Sequence, residues 1–326
     1  MNAQQLHEQS IVIDGLVIAK WDRELFEDMR RGGLTAASCT VSVWEGFQST
    51  VNNIGQMNRL IDDNSDLIMK IRSTADIHAA KAAGKTGVMM SFQNAHAYED
   101  QLSYVQAFKD LGVGIVQMCY NTQNLVGTGC YERDGGLSGF GHEVVAEMNR
   151  VGVLCDLSHV GSKTSEEVIL ASTQPVTYSH CLPSGLKDHP RNKSDDELKF
   201  IADHGGFVGV TMFTPFMKNG INSTIEDYVE AIQYVYNLVG EDAIGIGTDF
   251  TQGHGFDFFE WLTHDKGYAR RLTRFGKVVN PKGIQTLGEF GNLTEALLKG
   301  GFSERQTQKI MGENWVNLLK TVWLED

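Results

Sequence analysis

The sequence predicts an α/β protein with a (β/α)8 TIM-type barrel, read as one domain over residues 1–326. Three observations predict it. Eight short β-branched or apolar runs recur along the chain, amphipathic helical patterns separate them, and no two-residue hairpin turn joins one run to the next. The runner-up is an open doubly wound sheet, but no G-x-G-x-x-G follows the first run. A chain of 326 residues suits one large barrel or two average domains, and 41% apolar residues supply a sizeable core.

The first run covers residues 10–13 and is followed by Asp14-Gly15. A charged stretch, 21–31, reads as a helix stopped by Gly32-Gly33. The second run is 35–43. A long helical pattern over 50–71 follows, with Ile54, Met57, Leu60 and Ile61 spaced by three or four, then a short helix over 75–83. The third run is 87–92, the helix after it 102–111, and the fourth run 114–119. A helix over 141–151 leads to the fifth run, 153–157, and a short helix over 165–171 to the sixth, 175–178. The helix at 195–204 ends at Gly205-Gly206 before the seventh run, 207–213. A strong amphipathic helix over 224–239 precedes the eighth, 243–246, and helices at 287–299 and 303–323 close the chain. The excursions worth noting are 121–140 and 251–283. The latter carries Phe256, Phe258, Phe259, Trp261, Tyr268 and Phe275, and suits a lid, a subunit contact or a plain surface excursion.

Composition narrows the function. A net charge of −13 argues against a nucleic-acid partner. Five cysteines at irregular spacing, with no C-x-x-C pair, argue against a disulfide framework and fit reduced thiols. The first ten residues lack the basic and apolar regions of a signal peptide, and no run of about 18 apolar residues exists to span a bilayer. The expectation is a soluble cytoplasmic protein with no membrane partner. A homodimer is an expectation at the level of fold analogy.

In a barrel, chemistry sits at the C-terminal ends of strands. Two of the runs end in Ser-His, at Ser158-His159 and Ser179-His180, and the eighth leads to Asp249. Two neutral imidazoles and a carboxylate suit Zn²⁺ or a similar divalent ion, and a carboxylate beside such an ion can also move a proton. Against this stand two ordinary histidines near loops, and an Asp249 that caps a helix or turn. Arg191, in the polar loop after the sixth run, either holds a substrate carboxylate in a bidentate pair or is simply solvated. His7, His78, His142 and His204 read as surface residues and His189 as a loop residue. His254 and His264 reach a pocket only if the aromatic excursion folds inward.

Several stretches carry a family resemblance. GLSGFGHEVVAEMNRVGVLCDLSHVG, YSHC, HPRN, GIGTDF and MGENWVNLLKTVW resemble the membrane dipeptidase family (renal dipeptidase-like, peptidase family M19), and YNTQNLVGTGC and FEDMRRGG resemble a bacterial branch of it. The resemblance covers nearly the whole chain. It implies a metal-dependent, amidohydrolase-like (β/α)8 barrel that cleaves dipeptides, some with a D-residue at the C-terminal position. It further implies a two-zinc centre built from a His-x-Asp after the first strand, a bridging Glu after the third and two later histidines. His159 and His180 match those histidines, Asp249 the proton-transfer aspartate and Arg191 the carboxylate-binding arginine.

The departures fall together. Leu16-Val17-Ile18 stands where the family has His-x-Asp, Gln93 where it has the bridging Glu, and Tyr120 where it has a substrate-contacting His; His96 keeps its family identity. A neutral amide cannot offset the repulsion between two dications about 3.5 Å apart. The expectation is a metallo-hydrolase of dipeptides or related small amides, holding one zinc or other divalent metal at most. His159 and His180 are its metal residues, with Asp249 a further candidate ligand as well as the catalytic acid–base. Arg191, Tyr120, His96 and Gln93 are the candidate substrate contacts. Two alternatives stand beside it: a remodelled barrel enzyme acting on a non-peptide carboxylated metabolite, and a non-catalytic ligand-binding homologue.

Overall fold

Strands covered on both faces read as unbroken runs of apolar and small residues, and the strands here are of that kind. The structure is a computed structural model and describes residues 2–325. Its strands are Ile13–Val17 (β1), Ala36–Ser42 (β2), Ile68–Lys70 (β3), Thr86–Phe92 (β4), Val113–Gln117 (β5), Leu154–Asp156 (β6), Thr177–Cys181 (β7), Phe207–Val210 (β8) and Ile244–Ile246 (β9). They form one parallel sheet in the order β1-β2-β4-β5-β6-β7-β8-β9, with β3 added beside β4. The sheet closes on itself through a parallel bridge between Val17 and Phe250, and the Asp249 amide donates to Leu16 O at 3.0 Å. The eight expected runs are thus the eight staves of a nearly closed (β/α)8 barrel.

Helices return the chain from one strand to the next. Ala3–Gln9 (α1) precedes the barrel. Arg23–Arg31 (α2), Phe47–Asp63 (α3), Thr74–Ala83 (α4), Ser103–Leu111 (α5), Gly139–Val151 (α6), Ser162–Ala171 (α7), Asp195–Asp203 (α8) and Ile225–Val239 (α9) follow in order, then Phe256–Leu262 (α10), Gly291–Lys299 (α11), Glu304–Gln308 (α12) and Asn314–Val322 (α13). Their starts are written in the sequence: Ser73 with Asp76, Ser194 with Glu197 and Thr224 with Asp227 each form a reciprocal capping box. No helix among the described residues is long and apolar enough to cross a membrane.

Trp315 fills the barrel interior. It is fully buried, and its Nε1 donates to Ile246 O at 2.8 Å. Gly15 on β1 and Gly245 on β9 lie against the indole, where an added Cβ would come within 2.2 and 2.8 Å of it. This close approach is the reason for glycine in the middle of two strands.

Four expectations are corrected. The first strand is β1 at Ile13–Val17, not 10–13, so Asp14 lies inside the strand. The long helix expected over 50–71 ends at Asp63. The Asn64 side chain caps it by donating to Leu60 O at 2.9 Å, and the following Ile68, Met69 and Lys70 pair with Thr86–Val88 as β3. The last helix is interrupted by a wide turn over Lys309–Glu313, because Gly312 passes close to the Ile11 carbonyl. His7, expected at the surface, is buried, with its ring nitrogens 2.7 Å from Thr294 Oγ1 and 2.8 Å from Gly32 O.

Candidate active site

The site begins with a buried carboxylate. Asp156, the last residue of β6, accepts hydrogen bonds from the amides and hydroxyls of both Ser158 and Ser179. Burial pushes its pKa up, and those four donors hold it down. Because Asp156 bonds to the ends of β6 and β7 together, it fixes the two Ser-His pairs relative to each other. The His180 amide adds a bond to Ser158 Oγ at 3.0 Å.

The two imidazoles then face each other. His159 Nε2 and His180 Nε2 are 3.0 Å apart. Each ring is held from behind: His159 Nδ1 is 2.7 Å from Asn121 Oδ1, and His180 Nδ1 is 2.7 Å from Ser179 Oγ. Ser179 spends its own proton on Asp156, so its oxygen accepts from His180 Nδ1–H, and Asn121 Oδ1 accepts from His159 Nδ1–H. Both Nε2 lone pairs therefore point at one another. Burial, with Arg191 nearby, pushes both imidazoles well below their ordinary pKa, so both are neutral. Two opposed lone pairs call for a cation between them. Two nitrogens on one tetrahedral zinc, each at about 2.0–2.1 Å, lie roughly 3.3 Å apart, close to the spacing here. The acceptors behind the rings are the usual second layer of such a site.

Asn121 was not singled out in the sequence. It sits at φ 62°, a left-handed conformation that asparagine tolerates better than most residues. No periodicity or spacing marks such a role.

Arg191 is buried, not solvated. Its Nη2 donates to His180 O at 3.1 Å, Nη1 donates to Ser158 O, and the guanidinium lies 5.3 Å from the centre of the Phe216 ring. Its Nε–H is buried with no partner among the described residues. A permanently charged fork with spare donors in a dry site is built to receive an anion.

Asp249 follows β9, also in a left-handed conformation at φ 62°. Burial pushes its pKa up to about 6, with Arg191 opposing and Asp156 adding to the rise. It lines a small cavity of about 20 Å³ together with His159, Arg191, Tyr120 and Gln93. Among the described residues no three His, Cys, Asp or Glu side chains gather as a metal-binding set. Asp249 shares the cavity wall with His159, and its further role as a metal ligand stands as an expectation from the sequence.

Tyr120 stacks on His159, ring centres 4.2 Å apart, and meets Trp44 edge-on at 5.0 Å. Gln93 donates to Thr40 Oγ1 at 3.1 Å. His96 is exposed in the turn Ala95–Tyr98 and lies outside the cavity lining, so the structure does not place it with the others. The aromatic excursion folds inward. Its Leu262 and Phe275 line the cavity, as do Phe213, Phe216, Tyr131 and Thr251, none of which the sequence reading had assigned to the site. Where the family resemblance implies a first-strand metal ligand, Ile18 packs with Val43, Tyr120 and Leu262 in an apolar cluster.

A parallel barrel that presents paired neutral imidazoles, a buried arginine and a carboxylate of raised pKa at its strand ends is of the metal-dependent hydrolase class. The chain belongs to the membrane dipeptidase family, peptidase family M19, whose profile matches residues 2–270. It is similar to the dipeptidase aclJ of Aspergillus oryzae, at 26% identity over 91% of this chain and 69% of that protein. The chain spans about two thirds of the length of the curated relatives it matches. A crystal structure of an amidohydrolase from Pseudomonas aeruginosa is similar at 77% identity and a TM-score of 0.99, over all of both chains. A metallopeptidase from Rhodobacter sphaeroides, liganded with a phosphinate mimic of the dipeptide L-Ala-D-Ala, shares the fold at 19% identity and a TM-score of 0.80, over 97% of this chain and all of that one.

Proposed function

We propose that this protein hydrolyses dipeptides or closely related small carboxylated amides, and that it holds at most one divalent metal. The observation that carries the reading is the pair of Nε2 atoms 3.0 Å apart, each ring fixed from its far side. His159 and His180 are the residues that would hold the metal. When bound there, a divalent ion such as zinc supplies Lewis-acid polarisation of the scissile carbonyl and of the attacking water.

The chain's own residues do the rest. Arg191 receives the substrate carboxylate with the donors its backbone contacts leave free, which fixes the substrate's orientation. Asp249 takes a proton from the attacking water and returns it to the leaving amine, a role suited by a pKa of about 6. Tyr120 and Gln93 bound the cavity beside His159 and contact the substrate there. The dry walls exclude bulk water and strengthen each of these interactions.

The limit of one metal rests on Leu16, Ile18 and Gln93. Two are apolar and one is neutral, at positions where the family resemblance implies ligands of a second cation. Elemental analysis of protein saturated with zinc and then desalted should find no more than one ion per chain, and His159→Ala should find none. Two tightly held ions per wild-type chain would sink the reading.

One observation favours a second reading, a non-peptide carboxylated amide as substrate: Ile18 and its apolar cluster stand beside the cavity. Turnover of L-L and L-D dipeptides by the zinc-loaded protein supports the first reading. Turnover of N-acyl amino acids with none of any dipeptide supports the second.

A further inference from the structure

The cavity at Asp249 is too small for the substrate proposed for it. Its volume is about 20 Å³, room for about one water, which needs roughly 10–15 Å³ of such space. A larger pocket of about 260 Å³ lies beside it, at the ends of β1 and β2, walled by α3 and by α10. Ile18 lines both spaces. Gln93, in the wall of the first, donates to Thr40 Oγ1, in the wall of the second. Helix α10 caps the two together, with Leu262 over the first and Phe258 and Trp261 over the second. Ile18, packed with Val43, Tyr120 and Leu262, and the Gln93–Thr40 hydrogen bond stand between the two spaces.

The pocket's chemistry selects its occupant. Trp21, Val43, Met57, Leu60, Phe258 and Trp261 give it a mainly apolar, partly aromatic wall, with Ser42, Asn53 and Gln56 as uncharged polar members. It contains no lysine or arginine. His254 stacks flat on Phe258, ring centres 3.5 Å apart, and burial holds its pKa near 4, so it is neutral. The Glu45 carboxylate already accepts the Val43 amide at 2.7 Å, and its charge repels a second carboxylate.

We propose that this pocket is a specificity subsite for the acyl side of the substrate, the side remote from the carboxylate, and that it takes a bulky, uncharged, apolar or aromatic group. Ile18 and the Gln93–Thr40 pair form the threshold that the acyl group crosses. The assignment rests on the reading of Arg191 as the carboxylate holder, and the experiment separates the two.

N-acetyl-, N-benzoyl- and N-naphthoylglycine are titrated calorimetrically into the full-length protein. Gln56→Trp serves as the blocking variant, since Gln56 is exposed on α3 at the pocket wall and a larger side chain there fills the pocket without touching the core. Affinity should rise at least tenfold from acetyl to naphthoyl in the wild type. Gln56→Trp should remove that gain and leave the acetyl affinity unchanged, with an unchanged melting temperature to show that it folds. Equal affinity across the series, or equal weakening of all three ligands by Gln56→Trp, overturns the subsite. Arg191→Ala reads the other assignment: if it weakens nothing while the dependence on acyl size persists, the carboxylate reading fails and the subsite stands. Absence of any binding to the wild type counts against both.

Discussion

Asp249 shows how one residue's surroundings set its chemistry. The side chain is nearly dry, and burial outweighs the pull of Arg191, so its pKa rises to about 6. A base must be ionised to work, so activity is present above that pH and lost as pH falls through it. The expected profile of kcat/KM rises with pH through the pKa of Asp249, about 6 without the metal and lower beside a bound cation, and then levels. Both histidines stay neutral over that range and cannot supply the limb. Asp249→Asn should lower kcat by roughly 10²–10⁴ and abolish the limb in what activity is left. A limb that survives in the variant assigns the proton to another group. That His159, His180 and Asp249 follow strand ends was legible because strand ends are legible and these residue types are rare there; Arg191, in a loop, was marked by its charge and by the family resemblance. The exposed His96 and the supporting Asn121 were not, because a side chain's direction after a turn is set by backbone angles that no spacing reports.

The elements show where local pattern suffices and where it fails. Apolar spacing, with glycine stops at Gly32-Gly33 and Gly205-Gly206, marked most helices correctly. The stretch after Asp63 failed because Leu67, Ile68 and Ile71 continue a helical spacing, while the neighbouring edge of β4 offered a ladder that the sequence alone does not display. The glycines of β1 and β9 carry the converse lesson: they look like weak points in strands, yet they are the negative image of Trp315. An added methyl at Gly245 would meet Phe207 at 2.6 Å and the indole at 2.8 Å. Gly245→Ala should therefore cost about 1–3 kcal/mol of overpacking, read as a lowered urea midpoint, while kcat/KM at 25 °C is unchanged. Trp315→Phe alone should also destabilise, through a cavity and a lost hydrogen bond. The double variant should be more stable than the two single losses add up to, because the smaller ring vacates the space the methyl needs. Strict additivity would show that the glycine answers to some other constraint.

At the scale of the whole molecule, barrel closure is the feature least visible in the sequence and the most consequential for the site. β1 and β9 make no extended ladder; a single bridge and a few bonds join them. Asp14 is central to that seam: its carboxylate accepts the Thr248 amide at 2.8 Å and the Thr248 hydroxyl, one residue before Asp249. The group is fully buried, and burial raises its pKa from 3.8 to about 7, with the Thr248 bonds opposing and Asp249 adding. A folded-state pKa above the unfolded one means that the folded chain binds the extra proton between about pH 4 and pH 7. Stability must then fall as pH rises across that window, by an amount on the order of 4 kcal/mol at most. The net charge of −13 gives the wild type a slope of the same sign through self-repulsion, so the wild type alone does not decide the matter. Asp14→Asn keeps an acceptor for the Thr248 amide and cannot titrate. Urea midpoints measured from pH 4.5 to pH 7.5 should fall less steeply in this variant than in the wild type, and the difference in slope isolates the seam. Parallel slopes would mean that Asp14 titrates alike in the folded and unfolded chains.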